Sequence, residues 1–137
     1  MVKVVIGIAL SAMILSSLDI LGWNLFFSFN SPIYDDSLIR SISYWGHFHL
    51  FMNNLLVISI LTWMIYQVMP LLDKYRKRTL FIFILGVAFS LYSKGVVLAS
   101  NLSLSWIVLE VLFNSFEWLI VSLILAQFIR PKHLGAS

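Results

Sequence analysis

The chain has no cysteine among its 137 residues. Disulfides, thiolate-based zinc sites and thiolate-held iron–sulfur clusters are therefore excluded. Charge is scarce as well: Asp, Glu, Lys and Arg make up 11% of the sequence, against about a quarter in a soluble domain. No repeat, low-complexity segment or long linker appears. There is no glycine-rich phosphate loop, no nucleophile elbow and no paired-histidine zinc-protease motif. Together these absences exclude a disordered segment, a nucleic-acid binder and an ordinary soluble enzyme.

What remains is apolar surface. Hydrophobic residues make up 61% of the chain, and the mean hydropathy is +0.96. Four apolar stretches each approach the ~20 residues that cross a bilayer. They run from about 4 to 29, 47 to 72, 79 to 98 and 104 to 129. The expected fold is all-α: a single membrane domain, an integral four-transmembrane-helix bundle in the plasma (cytoplasmic) membrane. Asn30 to Gly46 reads as a true loop, Asp73 to Arg78 as a short basic turn and Ala99 to Ser103 as a tight polar turn.

Cations set the expected orientation. With the Asp73 to Arg78 turn inside, Lys3, Lys74, Arg76, Lys77, Arg78, Arg130 and Lys132 all lie on the cytoplasmic side, and only Arg40 lies in an outer loop. This gives an N-in, C-in topology. Lys3 followed by Val4 to Leu15 also has the form of a signal peptide. The apolar run resumes beyond Asp19, however, and Trp23 suits an interfacial position, so the first span is expected to be retained. The sequon at Asn101-Leu102-Ser103 reads as a chance occurrence in a turn too short and too close to the membrane for a glycan.

Function is sought in the groups a bilayer penalises, by roughly 2.5–3.5 kcal/mol for an ionisable side chain at a helix centre. Asp19, Lys94, Glu110 and Glu117 lie within the apolar stretches. His47 and His49 open the second stretch, with Asn53 and Asn54 one to two turns deeper. On the fourth, Glu110, Asn114 and Glu117 fall within about 60° of helical arc and form a stripe that must face protein or a bound group. On the second, His47 and Asn54 share one side while His49 and Asn53 share nearly the opposite one. Contacts on two sides are then expected, as in a subunit packed within an assembly. Lys94 is expected to approach Glu110 or Asp19 in the outer layer. The blander reading treats the asparagines as interhelical hydrogen-bonding groups and the histidines as interfacial residues.

The second stretch reads Tyr44-Trp45-Gly46-His47-Phe48-His49-Leu50 and then runs apolar to Pro70. An outer histidine followed by an inner proline resembles one helix of heme-copper oxidase subunit I and its nitric oxide reductase relatives. The resemblance covers under a fifth of the chain. It implies that His49 or His47 occupies an axial heme-ligand position. That family's further histidines have no counterpart here, since the one remaining histidine is His133 in the C-terminal tail. A second ligand for heme or copper would then come from Asp19, from Glu110 or from another chain.

Three functions compete. The leading expectation is a small non-catalytic integral membrane subunit of a larger complex, a redox complex such as a terminal oxidase or copper-dependent monooxygenase. The second is a heme- or copper-binding membrane protein using His47 or His49 with Asp19 or Glu110. The third is a proton- or ion-conducting element using Glu110, Asn114 and Glu117. The expected partners are the lipid bilayer and other membrane protein subunits, with no nucleic acid, and no catalytic residue is assigned.

Overall fold

The computed structural model describes residues 2–29, 44–98 and 104–129. The described residues are all-helical: α1 (Val2–Phe29), α2 (Tyr44–Gln67), α3 (Tyr75–Leu98) and α4 (Leu104–Phe128), with a short 3-10 turn at Met69–Leu71 between α2 and α3. Segments of α1, α2 and α4 are long and apolar enough to cross a membrane: Val2–Gly22, Trp45–Gln67 and Ile107–Phe128.

Helix ends follow local chemistry rather than hydropathy. The second apolar stretch continues to Leu72, but the α-helix stops at Gln67. Pro70 has no N–H to donate and restricts the residue before it. The chain tightens instead into i→i+3 bonds, with Leu71 N–H donating to Val68 O and Leu72 N–H to Met69 O, both at 2.9 Å. α3 starts at Tyr75, a full turn before the apolar stretch begins at Thr79. Its first turn is therefore made of the basic run. Basic residues have good helix propensity and need only a polar surrounding.

The helices form a ring in which α1 packs against α2 and α4, and α3 against α4, while the α2–α3 seam is thin. Gly7 of α1 meets Phe128 of α4, and Gly22 meets Phe113, so these helices run in opposite directions. Along α3 and α4, Gly86 meets Trp118 and Ser90 meets Asn114, again antiparallel. All three glycine contacts are close approaches that only glycine allows, and a Cβ on Gly7 would collide with the Phe128 side chain. A Cβ on Gly22 would collide with the Phe113 ring, and one on Gly86 would collide with the Trp118 indole. Two of the large aromatic residues of α4 thus fill grooves inside the bundle. Phe116, by contrast, is 53% exposed.

Toward the α2–α3 turn the core is mainly apolar, with Ser11, Thr62, Ser122 and Arg78 also buried. Ile58, Leu61 and Ile65 of α2, Ile82 of α3, Leu125 of α4 and Ile129 just past its end are each 0% exposed. Polar groups gather nearer the opposite end of the bundle and at its middle.

Candidate functional site

Two hydrogen-bonded clusters occupy the interior. In the first, α2 presents Asn54 to α1: its Nδ2 donates to Asp19 Oδ2 at 2.8 Å and to Ser16 Oγ at 3.1 Å. Ser16 Oγ in turn donates to the carbonyl of Ala12 at 2.8 Å. Asn54 faces inward because it continues the buried stripe of Ile58, Leu61 and Ile65. In the second cluster, Ser90 Oγ on α3 donates to Asn114 Oδ1 on α4 at 2.8 Å. Asn114 Nδ2 donates to the Glu110 carbonyl at 2.8 Å and to Glu110 Oε1 at 3.2 Å. Each asparagine thus uses its amide to hold a carboxylate in place.

Glu117 lies one turn further along the same face of α4 and is 1% exposed. The apolar segment Ile107–Phe128 is centred between Glu117 and Trp118, so this carboxyl group lies at mid-span. Glu110, Asn114 and Glu117 all turn toward the interior, while Leu112, Phe116, Leu119 and Leu123 form the outer face of α4. The stripe in the sequence therefore marks the buried face of its helix.

The opposite side of α2 differs. His49 and Asn53 are exposed, and they share their stripe with Leu56, Ile60 and Trp63, exposed by 60%, 45% and 64%. His47 is half-buried on the side of Asn54. Among the described residues, His, Asp and Glu form no group of three or more that could hold a metal ion. His47, His49, Asp19 and Glu110 are thus not gathered into one such group.

The side chain of Lys94 lies outside the described residues, as do Trp23, Arg40, Asn101, Ser103, Trp106, Arg130, Lys132 and His133. The α3–α4 pairs Gly86–Trp118 and Ser90–Asn114 step together by one turn, and a further turn sets position 94 level with Glu110.

Ser16 and Ser90, the hydroxyl partners of the two asparagines, carry no distinctive signal in the sequence. Serine back-bonding within apolar helices is common, and Ser59, Thr62 and Ser115 do the same here. Arg78 is the other residue that sequence reasoning assigned only to topology. It is 6% exposed, and its Nη1 donates to the carbonyls of Leu72 at 3.0 Å and Asp73 at 2.8 Å. Its signal is spacing: Arg78, Ile82, Gly86 and Ser90 lie four residues apart on the inward face of α3.

No protein-family model, no curated protein and no solved structure matches this chain.

Proposed function

We propose that the chain is a non-catalytic, multi-pass subunit of a larger membrane complex. In this reading α3 is a fourth span and both termini lie on the cytoplasmic side. The observation that carries it is the outward stripe of α2. The apolar segment Trp45–Gln67 is centred on Leu56. Exposed Asn53 lies three residues away, about 4.5 Å of helical rise. An amide facing hydrocarbon at that depth has no water to bond, and a neighbouring helix satisfies it for a gain of about 0.6–2 kcal/mol. His49 extends the same stripe toward the membrane surface.

The double variant His49→Leu, Asn53→Leu tests this reading. Native mass spectrometry of gently solubilised membranes is expected to find the wild-type chain in a larger assembly and the variant as a free chain. The variant's own thermal stability should be unchanged, because both positions face outward. A variant that stays in the same assembly would sink the reading.

Orientation has its own measurement. Cysteines introduced at Lys74 and at Ser37 should be labelled from opposite faces of intact cells, Ser37→Cys from outside. Labelling of Lys74→Cys from outside would reverse the topology. The redox character of the complex rests on the resemblance of α2, and the visible spectrum and copper content of the purified chain test it.

The interior carboxylates also suit a proton-carrying element. The clusters are bonded within the bundle, Asn54 to Asp19 and Ser16 and Asn114 to Ser90 and Glu110, which weighs in favour of a structural role for them.

A further inference from the structure

The outward line of α2 runs nearly straight along the helix. His49, Asn53, Leu56, Ile60, Trp63 and Gln67 are all exposed. They are spaced alternately by four and three residues, which keeps them within about 80° of arc at about 100° per residue. The same alternation forms the seam of a left-handed two-helix pair. Spacing alone also suits a face turned to lipid. Chemistry separates the two.

The outer face of α4 is apolar through Leu112, Phe116, Leu119 and Leu123. Exposed Ser17 on α1 donates its hydroxyl to the Met13 carbonyl at 2.8 Å, within its own helix. Asn53 is different. It is an exposed amide less than one turn from Leu56, the centre of the apolar segment Trp45–Gln67. The adjacent Asn54 is committed to Asp19 and Ser16 inside the bundle, so the two amides serve opposite sides of α2. Lipid tails offer Asn53 neither donor nor acceptor.

We propose that α2 pairs in parallel with α2 of a second copy of this chain, across a two-fold axis along the membrane normal, with Asn53 bonded to Asn53. The proposal rests on the reading of this stripe as a subunit contact and names the partner. Both copies carry the same cationic signals and insert the same way round. A two-fold axis then sets like residues opposite each other at equal depth. Like charges on such an axis would repel, and this line contains no Asp, Glu, Lys or Arg. An amide carries both an acceptor and donors, so two amides face to face satisfy one another. A helix of another sequence needs its own polar group at the depth of Asn53. A second copy supplies one by symmetry. Leu56, Ile60 and Trp63 continue the seam as apolar packing, and Gln67 repeats the amide pair at its end.

The lack of native cysteine makes the test direct. Leu56→Cys and Ile60→Cys each place one thiol on the line. Leu112→Cys places one on the outer face of α4, where Leu112 is 61% exposed against 60% for Leu56. Membranes holding the full chain are mildly oxidised. Leu56→Cys or Ile60→Cys is expected to give a disulfide-linked dimer of twice the 15.7 kDa chain mass, because a two-fold seam brings like Cβ atoms within disulfide reach. Leu112→Cys should remain largely uncross-linked. Adding Asn53→Leu should weaken the pairing by about 3- to 30-fold, whereas Asn53→Gln keeps an amide and should retain most of it. Cross-linking on the line no greater than at Leu112→Cys, or unchanged by Asn53→Leu, would overturn the proposal. The two readings fail separately. An assembly that His49→Leu, Asn53→Leu disperses, with no cross-link on the line, removes the second copy and keeps the larger complex. A native mass of two copies alone keeps the pairing and removes the larger complex.

Discussion

Gly86→Leu is expected to be the most damaging single exchange in the bundle. The added side chain must enter space held by the Trp118 indole, and Trp118 is 3% exposed with packed neighbours behind it. Overpacking of this kind costs about 1–3 kcal/mol and sometimes more. Unlike a flexible side-chain tip, the indole has no short path out of the way. The thermal midpoint in detergent should fall by many degrees, and Trp118→Leu should recover part of the loss in the double variant. Ala88→Leu, on the exposed face of the same helix, should be nearly neutral. A Gly86→Leu protein as stable as Ala88→Leu would show that α3 and α4 do not meet as described.

The second large effect is expected at Asn54. Asn54→Leu keeps the branched shape and heavy-atom count of the side chain but removes the donor from Asp19 and from Ser16. A buried group left without its partner costs about 1–3 kcal/mol. Asp19→Leu alone strands the amide instead. In the double variant Asn54→Leu, Asp19→Leu the polar pair is gone from both helices. The combined loss should then be smaller than the sum of the single losses by about 0.5–3 kcal/mol, the usual coupling of contacting residues. Strict additivity would count against the contact.

The helical character of the chain, and three of its candidate crossings, were legible from four uninterrupted apolar stretches. Hydropathy locates hydrocarbon rather than helix ends, which is why α3 extends a turn into its basic run and α2 stops short at Pro70. Facing was harder. Every helix is apolar nearly all round, so periodicity left open which side of α2 turns inward. Packing decides it: Asn54 lies in the stripe of Ile58 and Leu61, and Asn53 lies opposite. On α4, Phe113 and Trp118 pack inward against glycines while Phe116 is exposed. The clue lay on other helices, in Gly22 and Gly86, whose missing side chains make the grooves. A hydrophobic count sees those glycines as neutral. Of the polar positions, the stripe of Glu110, Asn114 and Glu117 was visible from spacing alone. The serines that complete the clusters were not, because partner choice across helices depends on register.

The thin seam between α2 and α3 has a consequence for how the chain assembles. The molecule is in effect two helical hairpins, the first half of the chain and the second, docked back to back along α1 and α4. The first hairpin holds both Asn54 and Asp19, so their bond needs no residue of the second. The turn from Val68 to Lys74 joins the two hairpins, and the broad α1–α4 contact holds them independently of it, so a break there should leave halves able to find each other again when made as separate polypeptides.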